Sequence, residues 1–155
     1  MVTVTQKTLV TQRLQGRCTS HSRTDITVRD RSMVIDEPLE RGGTNHGFTP
    51  TETLMASLIG CTNVITHKVA DKNGVAIKSM NVRLEAEFDR RGVMLQEELD
   101  RPFSSVTLYI ELETDADTAA VERVKRELAM FCPVSKVFRG AGIALKEVWS
   151  VSWPK

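Results

Sequence analysis

With 155 residues, 26% of them charged, and a net charge of +1, the chain has the size of one domain with a substantial core. It carries no basic or acidic run that would hold nucleic acid, no apolar stretch long enough to span a bilayer, and no apolar signal segment in its opening MVTVTQKTLVTQRLQ. Three widely spaced cysteines make no disulfide scaffold, so the expected setting is a reducing cytoplasm, where a cysteine pair is more often catalytic or metal-binding than structural.

Residues 1 to about 35 alternate weakly, through Val2, Val4, Val10, Leu14, Ile26, Val28 and Val34, and predict two or three antiparallel strands with turns near Gly16 and Asp30. The Gly- and Asn-rich segment DEPLERGGTNHGF is a loop, and it delivers Arg41 just upstream of the next element. Thr49 to Gly74 then reads as one long helix. Thr49 is the N-cap, Pro50 the first helical residue, Glu52 the residue three positions on that completes a capping box with Thr49, and Gly74 a left-handed C′ residue. Leu54, Met55, Leu58, Ile59, Val64 and Ile65 leave it almost no polar face, which is the mark of a buried helix, roughly 36 Å long. Either a second subunit covers it, or the rest of the chain encloses it; an apolar surface of that extent favours a dimer.

After Gly74 the period changes to two. Met80, Val82, Leu84, Ala86 and Phe88 predict a strand with one wet face, and Val106, Leu108, Ile110 and Leu112 predict a second, joined to it by a polar connection over 89–102. A helix follows from about Asp117 to Phe131, with Val121, Val124, Leu128 and Phe131 on its apolar stripe. Pro133 disfavours helical geometry at Cys132 and opens a short helix, PVSKVFR, closed by Gly140. The last strand, Ile143 to Trp153, points Ile143, Leu145, Trp149, Val151 and Trp153 one way. The expected fold is α+β, one domain over 1–155 with an antiparallel sheet packed on the central helix; 1–48 holds the first strands and arginine loop, 49–74 the helix, and 75–155 the remainder.

Four residues stand out for chemistry. Cys61 lies in Gly60-Cys61-Thr62-Asn63, a small polar break in an oily helix, and Cys132 sits at a helix start where unpaired N–H groups favour a thiolate. Each could equally be a small buried hydrophobe. Two such cysteines could form a peroxidatic and resolving pair. Arg41, otherwise a solvated loop charge, is the candidate cation beside a thiolate, ahead of Arg31, Lys136 and Arg139. Glu52 is explained by the cap; it lies about 13 Å along the helix from Cys61, so it could act only by orienting an arginine. Cys18 is incidental. His46, His67 and the two cysteines match no zinc spacing, and no nucleotide, serine-hydrolase or zincin motif occurs.

The segments TPTETLMASLIGC, CPVSKVF and ERGGTNHGFTP together resemble the central-helix, second-cysteine and arginine-loop motifs of the OsmC/Ohr family of thiol-dependent hydroperoxide reductases, nearer its OsmC-like branch. The resemblance implies an intertwined homodimer with two central helices back to back. It makes Cys61 the peroxidatic cysteine and Cys132 the resolving one. Arg41 becomes the guanidinium that stabilises the thiolate, within the chain or across the interface. It implies no metal or other cofactor, a hydroperoxide substrate and a dithiol reductant of lipoyl type, while the composition already speaks against nucleic acid or membrane as partner. The chain departs from the organic-hydroperoxide members, which place glutamate directly after the proline; here Thr51 stands there and Glu52 follows. The expected activity is therefore a cytoplasmic thiol peroxidase. The alternatives are a redox-responsive or ligand-binding protein without catalysis and, third, a cysteine hydrolase or transferase, for which no histidine is placed as base.

Overall fold

The computed structural model describes residues 8–153, so Val2 and Val4 of the first expected strand lie outside the described residues. The chain divides into two compact units, one ending at Thr53 and the other beginning at Leu54. The first unit holds an antiparallel sheet of β1 (Gln15–Cys18), β2 (Thr24–Val28) and β3 (Arg31–Ile35), in that order. The turn near Asp30 is present, with Arg29 in the left-handed region at φ 54°. Gly16 is not a turn: it pairs with Ile26 inside β1. The chain reverses instead at Ser20, whose hydroxyl accepts the N–H groups of Ser22 and Arg23 at 3.3 and 3.0 Å, an arrangement short polar side chains supply without glycine.

The central helix, α1 (Pro50–Lys72), starts and stops where its signals place it. The Thr49 N–H donates to Glu52 Oε2 at 2.8 Å while the Glu52 N–H donates to Thr49 Oγ1 at 3.3 Å, a closed capping box, and Gly74 takes φ 67° beyond the last turn. The helix is not buried all round in the single chain. Its buried residues, Leu58, Thr62, Thr66, Val69 and Ala70, make one face, because only one side of it meets the sheet of the second unit. Val64 remains exposed.

The second unit's sheet contains β4 (Ile77–Phe88), β5 (Phe103–Thr114) and β6 (Ala144–Ser152), with β5 in the middle. β4 and β5 pair antiparallel, Val82 opposite Ile110, and Phe88 stacks on Phe103 at 4.9 Å where the long connection leaves and returns. The expectation of an all-antiparallel sheet fails at β6, which runs parallel to β5 with Val106 opposite Leu145. Between them lie α2 (Thr118–Phe131) and α3 (Pro133–Gly140), a crossover long enough to return the chain to the end where β5 began. Alternation along a strand is blind to its direction.

The alternation does set the core. Val106, Leu108, Ile110 and Leu112 are all buried on one face of β5; the first three meet Leu58 of α1, Leu128 of α2 and Phe138 of α3, and Cys132 belongs to the same cluster. Asp117 caps α2, accepting the Ala120 N–H at 2.7 Å, and Val121, Val124 and Leu128 are buried as their stripe requires. Phe131 is not: it is 53% exposed, its ring 5.4 Å from the Lys72 ammonium. At the end of α3 the left-handed residue is Gly142, φ 76°, while Gly140 is still helical.

Candidate active site

The site of the second unit begins with a proline. Pro133 excludes helical geometry from Cys132, which takes φ −70°, ψ 109°, ending α2 and serving as N-cap of α3. In that position its sulfur accepts the Ser135 N–H at 3.4 Å, and the Ser135 hydroxyl donates to the Cys132 carbonyl at 3.1 Å. Cys132 has no exposed surface. Cys61 is partly buried on the face of α1 that carries Leu54 and Leu58, three and four residues being neighbours on a helix. Its Sγ lies 3.2 Å from Cys132 Sγ, and both are free thiols. The structure thus brings together two residues 71 apart in sequence.

Three influences act on Cys61. Burial pushes its pKa up, the Val134 N–H donated to its sulfur pulls down, and the adjoining Cys132 thiol raises it again, for a net upward shift. In the first turn of α3 the Ser135 N–H meets the Cys132 sulfur. That is the anion-favouring end of a helix, and at Cys61 it is outweighed by burial.

Behind the sulfurs lies a polar chain that the sequence analysis missed. Ser135 Oγ accepts from Arg139 Nη1 at 3.0 Å, Arg139 Nη2 donates to Glu147 Oε1 at 2.9 Å, and Trp149 Nε1 donates to Glu147 Oε2 at 3.4 Å. A signal was present: Glu147 is the one charge on the line Ile143, Leu145, Glu147, Trp149, Val151 that the period of two turns inward.

In the first unit, Arg41 ends a short 3₁₀ turn, Leu39–Arg41, and pairs with Glu37 at 3.1 Å, an i, i+4 pair also legible in the sequence. Glu52 is engaged by the cap described above. The loop around Arg41 is organised by Asp36, which is buried and accepts from the Thr44 hydroxyl and from the N–H groups of Glu37, Thr44 and His46 at 2.8, 3.1 and 3.2 Å. The Thr44 hydroxyl, against the opposing cost of burial, and then these N–H groups hold its carboxyl well below the usual carboxylate range. Thr44 Oγ1 also meets His46 Nδ1 at 2.7 Å; since the hydroxyl donates to Asp36, it accepts from the ring. Gly43 and Gly47 permit this packing: a Cβ on either would stand 1.8 Å from Glu37 O or 2.1 Å from Val34 O.

Among the described residues no group of three or more His, Cys, Asp or Glu could hold a metal ion, and His67 Nδ1 donates to the Asn63 carbonyl at 2.9 Å. No helix among them is long and apolar enough to cross a membrane.

Comparison with known proteins supplies the context. No curated protein matches the sequence significantly. Solved structures do match the fold. An OsmC-like protein from Mycoplasma pneumoniae superposes with a TM-score of 0.75 at 14% identity, covering 94% of this chain and 99% of that one. An organic hydroperoxide resistance protein OsmC from Legionella pneumophila gives 0.69 at 18% identity, covering 94% and 100%. The organic hydroperoxide resistance protein OhrB of Bacillus subtilis gives 0.59 at 20% identity, covering 91% and 98%. Such identities speak for the fold alone. The family model for OsmC-like proteins matches residues 43–147, a span that takes in the central helix and both paired cysteines, and the chain therefore belongs to the OsmC-like family.

Proposed function

We propose that this protein is a two-cysteine hydroperoxide reductase. The Cys61 thiolate attacks the distal oxygen of a hydroperoxide; an S–O bond forms as the O–O bond breaks, and the alkoxide leaves with a proton as alcohol, or as water from hydrogen peroxide. Cys61 is left as a sulfenic acid. The Cys132 sulfur then attacks it, water leaves, and a Cys61–Cys132 disulfide remains for an external dithiol, of lipoyl type, to reduce. No cofactor enters this cycle.

The observation that carries the reading is the 3.2 Å approach of the two free sulfurs at the N-terminal turn of α3. A helix start with the Ser135 N–H on the Cys132 sulfur suits the charge that develops there during exchange. Arg41 is assigned the role of activating cation, Glu52 at most that of orienting it, and a cytoplasmic homodimer is the assembly in which the exposed side of α1, Val64 included, would be covered. Mass spectrometry after stoichiometric cumene hydroperoxide tests the cycle. Loss of two hydrogens mapping to Cys61 and Cys132, reversed by dithiothreitol, is the expected result; unmodified thiols after minutes of exposure would refute it.

One observation favours a second reading. The upward shift at Cys61 is the reverse of what a fast peroxidatic thiol needs. A redox-responsive protein that closes its disulfide slowly, with no turnover, requires no such activation. Rapid multiple turnover with peroxide and dithiol excludes this reading.

A further inference from the structure

We infer that Arg139, anchored by Glu147 and reaching Ser135, is a positioning residue that holds the first turn of α3, and with it Cys132, against Cys61. The inference rests on the two-cysteine reading above and adds to it the roles of Arg139 and Glu147.

β6 turns Leu145, Glu147, Trp149 and Val151 toward the helices, and the cross-strand neighbour of Glu147 is the fully buried Leu108. The Glu147 side chain is only 12% exposed. A carboxylate in such a row is costly unless each oxygen finds a donor, and here each does: Oε1 takes Arg139 and Oε2 takes Trp149. Replacing the pair with apolar side chains would suit the core as well, so the pair's presence calls for a use beyond packing.

Arg139 shows that use. Its two terminal nitrogens serve different elements: Nη2 goes to Glu147 on β6, while Nη1 goes one turn back along α3 to Ser135 Oγ. A rigid guanidinium fork can tie two such points at once, and a lysine ammonium on a flexible stem cannot do so with the same constraint. Ser135 is itself buried and makes two contacts with Cys132, its N–H on the sulfur and its hydroxyl on the carbonyl. An unbroken path of hydrogen bonds therefore runs from the sheet through Glu147, Arg139 and Ser135 to the resolving cysteine.

The short helix needs this tie. With eight residues, α3 is below the length at which a helix holds itself together in water, so tertiary contacts set its position. Phe138 anchors its middle in the core. The Arg139 fork is what fixes its first turn, where Ser135 presents its N–H group to the Cys132 sulfur beside Cys61. Intramolecular reactions gain their effective concentration from such fixed approach and lose it steeply with small displacements.

The test measures that effective concentration without peroxide. The full chain carrying Cys18→Ser is equilibrated in buffers of reduced and oxidised glutathione, in which oxidised glutathione takes up the two electrons that the thiol pair loses. The fractions of dithiol and Cys61–Cys132 disulfide are trapped by acid and alkylation and read by mass spectrometry. Arg139→Gln and Ser135→Ala are expected to lower the effective concentration about tenfold or more, with Arg139→Lys falling between them and the parent. Values within twofold of the parent, in variants whose circular dichroism shows them folded, would overturn the inference and leave Arg139 a stabilising ion pair only. Should Arg139→Gln not fold, Ser135→Ala decides alone, since it removes one hydroxyl. A parent protein that closes its disulfide in glutathione yet leaves peroxide untouched overturns the peroxidase reading and not this one.

Discussion

Oxidising the Cys61–Cys132 pair is expected to stabilise the folded chain by about 4 kcal/mol. The sulfurs stand 3.2 Å apart as thiols, so bonding at about 2.05 Å requires them to close by about 1.2 Å, a shift that side-chain rotation can supply. The gain comes from the unfolded chain, where a cross-link over a sequence separation of 71 removes about 4.4 kcal/mol of loop entropy at room temperature. For a chain of 155 residues that corresponds to a rise in melting temperature of about 8–16 °C. The assay is thermal unfolding by circular dichroism of the Cys18→Ser protein, reduced with a phosphine or oxidised with diamide, with Cys132→Ser as a control that should show no shift. An oxidised protein, its disulfide confirmed by mass, that melts at or below the reduced one would refute the reasoning: the bond would then strain the fold by as much as the cross-link stabilises it.

Leu58→Ala, at a fully buried position in the core cluster that includes Cys132, should cost about 2–5 kcal/mol, read as a lower urea midpoint with unchanged slope. Gly43→Ala places a Cβ against the Glu37 carbonyl; the loop must rearrange at a cost of about 1–3 kcal/mol, and amide resonances of Thr44 and His46 should move. Because the Asp36 carboxyl titrates lower in the fold than in the unfolded chain, its contribution is complete above the unfolded value of about 3.9 and drains away as pH falls through the folded one. Asp36→Asn should flatten that acid-side loss in melts recorded from pH 7 to pH 3. Arg41→Leu should raise the pH midpoint for Cys61 alkylation and slow peroxide reduction about tenfold or more; a midpoint and rate identical to the parent would end the role assigned to Arg41.

What the sequence disclosed depended on how local the cause was. The ends of α1 were legible because a capping box and a C′ glycine act within a few residues. The inward residues of β5 were legible because burial follows the pleat. The direction of β6 was not, since a period of two is the same read either way. The central helix looked buried on every side because its apolar residues surround it, yet its buried residues make a single face, the one that meets the core of the second unit. Cys61 and Cys132 could be named from their surroundings in the sequence, but their contact arises from packing between α1 and the α2–α3 corner. Glu147 and Glu37 each sat at a revealing spacing and went unread, because a charge on an apolar stripe or one turn from an arginine acquires meaning only once its partner is known.

The unequal exposure of the two cysteines makes traffic at the pair one-sided. Cys132 offers no surface, whereas Cys61 is partly open, so a reagent of any size arrives at Cys61. In the proposed cycle a reducing thiol would then form its mixed disulfide on Cys61 and expel Cys132 as the leaving group, with the Ser135 N–H already in place to receive the departing charge. Under the proposed cycle this exposure sets an order that the chemistry of a symmetric disulfide leaves open: whatever enters or leaves would pass through the sulfur on the long helix, and the other sulfur would answer only to its partner.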